Sequence, residues 1–187
     1  VPDGVHPQAV AAIGAEGAHV VRVDGDYDDA VEAAATMAAE TDAILVQDTA
    51  WDDYVEVPGW IVDGYATMFA EIDEQLVAAG DDAPNLVAIP TGVGSLLQAA
   101  LQHYRGPGSA ARPAVVSVEA DTAACVFAGV TAGRPVTVAT SDTVMAGLNC
   151  GTVSTLAWPA ISAGLDAALL TTDAATIRAA TDLADLG

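Results

Sequence analysis

The 187-residue sequence contains no lysine. Its five basic side chains are all arginine (Arg22, Arg105, Arg112, Arg134 and Arg178), set against 26 aspartates and glutamates for a net charge of −21. So little positive charge argues against nucleic acid or an anionic membrane as partner, because both require a basic surface. Acid pairs such as Asp28-Asp29, Asp52-Asp53 and Asp81-Asp82 read as solvated surface. A surface this self-repelling points to a salt-adapted source. Aromatic residues make up only 5% while hydrophobic residues reach 52%, so the core is expected to be built from small aliphatic side chains. No apolar run reaches the roughly 18 residues that a membrane-spanning helix needs. Val1-Pro2-Asp3-Gly4 has neither an initiator methionine nor a basic segment leading into an apolar one. The expectation is a truncated or processed chain without a signal peptide, in the cytoplasm. Cysteine is scarce too. Cys125 and Cys150 lie outside any C-x-x-C or His-rich context, which argues against a metal site. They read either as two buried thiols or as a disulfide, and spacing does not choose between these. Full G-x-G-x-x-G, P-loop and G-x-S-x-G motifs are all missing.

What is present is an alternation of helix-like and strand-like segments over a length suited to one domain or two small lobes. Helices are predicted over 7–16, 28–40, 59–79, 95–104, 121–129, 154–164 and 173–185. Strands are predicted at Ala18–Val23, Ala43–Val46, Leu86–Ile89, Ala114–Val118, Val136–Ala139 and Leu165–Thr171, with a Gly/Pro/Ser/Arg loop over 105–113. Brief, continuously apolar runs such as Ala43–Val46 and Leu86–Ile89 read as buried strands. Strands separated by helices imply parallel pairing through crossovers, hence an α/β layered fold. A lobe boundary is expected near Gln47, with 1–46 in a smaller lobe and 47–187 in a larger one.

Two stretches carry most of the chemical information. In Leu86-Val87-Ala88-Ile89-Pro90-Thr91-Gly92-Val93-Gly94-Ser95 a strand delivers a glycine-rich turn to a helix N-terminus, where free amides and the helix dipole favour an anion. Gly92 and Gly94 would let the backbone approach a phosphate, and Ser95 would add a hydroxyl donor. An ordinary tight β–α turn remains the alternative. Gln47-Asp48-Thr49-Ala50-Trp51 follows a predicted strand, where ligand-facing residues of α/β sheets gather. Asp48 there would bind a substrate ammonium or act as a base, or would cap a local turn. Asp121 reads as an N-cap for the helix over 121–129. Asp142-Thr143 precedes Val144-Met145-Ala146-Gly147-Leu148, where Gly147 would tolerate a planar group close by or mark a plain turn. His6, His19 and His103 are scattered and read as surface or packing residues.

Taken together, six stretches resemble the diaminopropionate ammonia-lyases, members of the tryptophan-synthase-β-like (fold type II) pyridoxal-phosphate enzymes. They are Asp26-Tyr27-Asp28-Asp29, Gln47-Asp48-Thr49-Ala50-Trp51, Gly64-Tyr65-Ala66-Thr67-Met68, Gly92-Val93-Gly94-Ser95, Val118-Glu119 and Met145-Ala146-Gly147-Leu148-Asn149-Cys150-Gly151. They occur in the family's order over about residues 1–165. The resemblance implies that type's parallel-sheet α/β fold, incomplete here, and an α,β-elimination releasing ammonia and pyruvate from 2,3-diaminopropionate. It implies pyridoxal 5'-phosphate as cofactor, with the phosphate held by Gly92, Val93, Gly94 and Ser95 and the ring bordered by Ala146 and Gly147. It further implies Asp48 as the acidic residue near the substrate, a cysteine pair at Cys125 and Cys150, and a homodimer as the intact enzyme.

The sequence departs from the family at Pro90-Thr91, where Gln-Ala is usual, and at Ala120, where proline follows the glutamate. The larger departure is the missing lysine. The family's cofactor-anchoring lysine is expected upstream of Val1, and its contact to the pyridine nitrogen downstream of Gly187. Arginine stays protonated and cannot take the role. The expected reading is therefore the central part of a lyase that is inactive alone. A lysine-free pseudoenzyme or phosphate-ligand binding module, and a related serine or threonine dehydratase, stand as the alternatives.

Overall fold

The computed structural model describes residues 1–109 and 111–186. Its centre is a three-stranded parallel sheet in the order β1-β2-β3, formed by Leu86–Pro90, Ala114–Ala120 and Ala167–Thr171. Each strand is followed by a helix: α4 (Ser95–Arg105), α5 (Cys125–Ala132) and α7 (Asp173–Leu186). The remaining helices are α1 (Pro7–Ala15), α2 (Tyr27–Thr41), α3 (Glu56–Ala79) and α6 (Trp158–Gly164). The layered parallel α/β class expected from the alternating pattern is the class observed.

Local chemistry explains most helix boundaries. At α2, Asp26 and Asp29 form a reciprocal capping box: the Asp29 amide donates to Asp26 Oδ1 at 3.1 Å and the Asp26 amide to Asp29 Oδ2 at 2.9 Å. The helix α3 stops at Gly80, whose φ of 78° lies in the left-handed region that ends helices cheaply. The core forms where α3, α4, α5 and α6 meet the sheet, and it includes Val62, Phe69, Leu97, Leu101, Val115, Val126 and Ile161. Phe69 meets Tyr104 edge to face at 5.9 Å, locking α3 onto α4. Valine, leucine and alanine do fill this core, as the scarcity of aromatics implied.

Several expectations fail, each for a physical reason. Ala18–Val23 is not a strand. Val23 forms only an isolated bridge with Pro2. Ala43–Val46 is not a strand either, and Ile44 and Val46 are 83% and 70% exposed. A short apolar run becomes a strand only when a neighbour takes its amides and carbonyls, and no neighbouring strand lies beside either run among the described residues. Val136–Ala139 is extended but tied chiefly through the Val138 amide to Gly151 O at 2.9 Å. Leu86–Ile89 is a strand, though only Ile89 is buried, because β1 is an edge strand here. The helix expected from residue 154 begins at Trp158. The helix expected from residue 121 begins at Cys125, and Asp121 does not cap it. The Asp121 amide continues the sheet instead, donating to Thr171 O at 3.0 Å.

Candidate functional site

The glycine turn sits at the carboxyl end of β1. Thr91 extends the ladder by donating its amide to Val118 O at 2.9 Å, while its hydroxyl turns back to Ile89 O at 2.8 Å. Gly94 then adopts φ 100°, and the first α-helical hydrogen bond runs from the Gln98 amide to Gly94 O at 2.8 Å. Among the described residues, no acceptor meets the amides of Gly94, Ser95, Leu96 and Leu97. Four such donors at a helix start, three of them on the buried residues Gly94, Ser95 and Leu97, need water or an anion to meet them. They border a cavity of about 210 Å³ lined also by Tyr27, Asp48, Tyr65, Gly147, Leu148 and Cys150. No lysine, arginine or histidine lines it, so the donors it offers an anion are backbone amides rather than a cationic side chain.

The two loop glycines also answer close contacts from the protein itself. A Cβ on Gly92 would lie 3.0 Å from Cys150 Sγ and 3.4 Å from Gly147 O. A Cβ on Gly94 would lie 2.9 Å from Ile161 Cδ1 and 3.3 Å from Ala157 Cβ. Gly94 thus lets the turn press against α6, and Gly92 lets it press against the opposite wall of the cavity. Ser95 differs from its expected role: its hydroxyl donates to the Asp48 carbonyl at 3.0 Å, so its amide rather than its hydroxyl is the group left for an anion.

That bond belongs to a set that fixes the 47–51 turn. The Gln47 side chain clasps Thr49, accepting from its amide at 2.7 Å and donating to its carbonyl at 2.5 Å. The Ala50 amide donates to Ser154 Oγ at 2.9 Å, and the Thr155 amide to Ala50 O at 3.1 Å. Trp51 stacks on Tyr54 at 4.7 Å. The backbone of Asp48 is held on both sides, the residue lines the cavity, and its charge acts on Tyr27 and Cys150 in the same lining. The turn-capping role considered for Asp48 falls to Gln47 instead. Beside it, the Tyr27 hydroxyl lies 3.3 Å from Thr49 Oγ1, and burial raises the phenol's pKa, with Asp48 adding to the effect. Tyr27 is therefore a neutral hydrogen-bonding group at neutral pH.

The far wall is the 3₁₀ turn Ala146–Leu148. Gly147 and Leu148 line the cavity, while Ala146 is exposed and does not. Side chains of a 3₁₀ turn diverge by about 120° per residue, so three successive residues cannot all face one side. Nothing lies within 4 Å of where a Gly147 Cβ would be, leaving space for a flat group. Both cysteines are free and buried around the turn, with Cys125 Sγ 3.5 Å from Gly92 O. Burial pushes each thiol up to about 12, so neither is a nucleophile at neutral pH.

Beneath the site, Glu119 is 0% exposed and accepts from the amides of Val126 and Phe127, both at 2.8 Å. A carboxylate from the end of β2 thus serves as the cap of α5 that Asp121 was expected to be. Burial raises its pKa to about 7, against the lowering effect of those two amides.

An open parallel sheet with a glycine turn at the carboxyl end of a strand, leading into a helix start with acceptor-free amides, is the layered α/β arrangement in which ligands meet the strand ends. The family model described as pyridoxal-phosphate dependent enzyme matches residues 1–187, and the chain belongs to that family. Pyridoxal 5'-phosphate is its cofactor. The orphaned amides and the open wall at Gly147 fit a phosphorylated planar ring. The chain is 37% identical over 149 residues to diaminopropionate ammonia-lyase of Salmonella typhimurium, covering 78% of this chain and 37% of that protein. It is 35% identical over 159 residues to the Escherichia coli K12 diaminopropionate ammonia-lyase, covering 84% and 40% respectively. The crystal structure of the E. coli enzyme in complex with an aminoacrylate-PLP azomethine reaction intermediate superposes with a TM-score of 0.82 at 32% identity, over 92% of this chain and 43% of that one. Maize serine racemase, at 18% identity and a TM-score of 0.76, shares the fold. The chain spans about two fifths of the length of the diaminopropionate ammonia-lyases it matches.

The structure gathers Asp48, Gly92, Val93, Gly94, Ser95 and Gly147 around one cavity and leaves Ala146 outside it. Tyr27 and Tyr65 were missed as lining residues. Tyr65 was discoverable from periodicity: Pro58, Val62, Tyr65 and Phe69 recur at helical spacing on the inner face of α3. Nothing in the spacing marks Tyr27.

Proposed function

We propose that the intact protein catalyses the pyridoxal-phosphate-dependent α,β-elimination of 2,3-diaminopropionate to pyruvate and ammonia. The observation that carries this reading is the pairing, across one cavity, of the acceptor-free amides Gly94–Leu97 with the carboxylate of Asp48. The cofactor, when bound, supplies an electron sink for the bond broken at the substrate Cα. This chain's contribution is to hold and orient. The Gly92–Ser95 turn holds the phosphate through backbone amides, which need no side-chain cation. Asp48, its carbonyl braced by Ser95 and its loop tied two residues on by Ser154 at the Ala50 amide, meets a substrate ammonium or takes a proton from it. Tyr27 donates or accepts a neutral hydrogen bond next to Asp48, and Gly147 with Leu148 forms the wall against the ring. With no lysine, this chain alone provides no covalent tether and is inactive by itself.

The test is pyruvate formation by the intact protein from diaminopropionate, run in parallel with serine and threonine. Preferential turnover of diaminopropionate supports the proposal, and preferential turnover of serine or threonine replaces it with a dehydratase. Asp48→Asn should lower kcat by 10²-fold or more, the usual order for an acid–base group. An unchanged kcat would assign Asp48 to turn structure only.

A further inference from the structure

The wall of the cavity opposite the phosphate cradle is anchored from outside the site. Asp173, the first residue of α7, uses both carboxylate oxygens on one short segment. Thr143 Oγ1 donates to Asp173 Oδ1 at 2.6 Å, and the Val144 amide donates to Asp173 Oδ2 at 3.1 Å. The Met145 amide then donates to Thr143 Oγ1 at 3.1 Å, so the threonine hydroxyl relays the anchor one residue further. Thr176, one turn along α7, donates its hydroxyl to Met145 Sδ at 3.3 Å. Directly after this clamp comes the 3₁₀ turn, closed by the Leu148 amide on Met145 O at 2.8 Å. Its Gly147 carbonyl and Leu148 Cα pack against the place where Gly92 lacks a side chain.

We infer that Asp173 is a positioning residue for the cofactor: it sets the Gly147–Leu148 wall at a fixed distance from the Gly92–Ser95 cradle. The physical case has three parts. The carboxylate sits at a helix N-terminus, whose dipole stabilises its charge. Both of its oxygens are engaged by consecutive residues, which fixes orientation as well as distance. The wall turn buries no residue of its own, so it owes its place to ties at its two ends rather than to a packed core. Asp173 lines no part of the cavity and touches neither cofactor nor substrate in this arrangement. Its action is therefore through Thr143, Val144 and Met145.

This inference rests on the cavity being the cofactor site, and two independent measurements on the intact protein keep the two readings apart. In the cofactor-free protein, Asp173→Ala and Thr143→Val should each speed hydrogen exchange of the Val144 and Met145 amides by at least tenfold, while exchange within β1 and α4 stays as in the wild type. In titrations with pyridoxal phosphate, followed by absorbance, each variant should raise the dissociation constant by about tenfold. Thr143→Ser, which keeps the hydroxyl, should restore both values, and the double variant should be no worse than either single one, since the residues act as one unit. Wild-type exchange rates in Asp173→Ala, or a dissociation constant within twofold of wild type, would overturn the inference. Should the wild type itself fail to bind the cofactor, the proposed function falls, and the exchange measurement still decides whether the clamp holds the wall.

Discussion

The Ser95 hydroxyl donates to the carbonyl of Asp48 at 3.0 Å, across 47 residues of sequence. One residue thereby serves both halves of the site: its amide is left without an acceptor at the cavity, and its side chain steadies the loop that carries the acid. Ser95→Ala should keep the amide and lose the brace. Cofactor affinity is expected to change less than threefold, while kcat falls by about tenfold as Asp48 loses its fixed position, a loss of roughly 1.4 kcal/mol in transition-state stabilisation. Parallel measurement of the cofactor dissociation constant and kcat checks the split. An equal loss in both would mean that the hydroxyl serves the phosphate after all.

Gly94 combines a left-handed φ of 100° with contact against Ile161 behind the loop. Gly94→Ala is expected to destabilise the protein by about 1–3 kcal/mol from backbone strain alone, and to weaken cofactor binding. Urea unfolding of the cofactor-free protein measures the first effect. A companion Ile161→Val change relieves the contact with Ile161 Cδ1 but not the backbone strain, so it should recover only part of the loss.

Glu119 gives the pH dependence a definite sign. Its pKa rises from the ordinary 4.5 to about 7 on burial. Between those values the folded state binds more protons than the unfolded state, so stability falls as pH rises from about 4.5 to about 7. The loss is on the order of 3 kcal/mol, from about 1.4 kcal/mol per pKa unit. Repulsion among the 26 acids acts in the same direction. Comparing wild type with Glu119→Gln at fixed high salt isolates the buried group. The variant's unfolding midpoint should be flatter over that window, and an identical slope for the two proteins would assign the dependence to the surface.

Arg105 closes α4 by binding several partners at once. Its guanidinium donates to Gly164 O at 3.3 Å, Pro113 O at 3.0 Å and Asp166 Oδ2 at 2.5 Å, and Asp166 Oδ2 also accepts from the Val115 amide at 2.7 Å. Lysine carries a compact charge and cannot span that fork. Arg105→Lys should cost about 1–2 kcal/mol of unfolding free energy by losing two or more of these hydrogen bonds. A change below 0.5 kcal/mol would show the arrangement to be solvated and weak.

The parts of the fold that were legible in the sequence were those with a local cause. The helix α2 followed from its capping turn and 3.6-residue periodicity, α3 and α7 were legible in extent but not in which face they bury, and β1, β2 and β3 followed from short apolar runs between helices. Where pairing was required, local reading overshot. Ala43–Val46 has strand composition but no neighbour to make it one, and Asp121 has capping chemistry but lost that place to Glu119, which β2 delivers from two residues earlier. The same holds for the site. The glycine turn was visible because β–turn–α spacing is local, and Asp48 because it follows an apolar run. The brace from Ser95, the wall tie from Asp173 and the lining position of Tyr27 all join residues distant in sequence, and spacing carries no trace of them.

Gly94 leans on Ala157 and Ile161, which lie on and beside α6 and away from the cavity. The shape of the glycine turn is therefore supported from behind by a helix that contributes no lining residue to the cavity. Residues around Tyr27 and Asp48 could be exchanged, and the front of the cavity reshaped, while this rear support leaves the turn's backbone unchanged. One jaw of the vice is bolted down, and only the other is free to be recut.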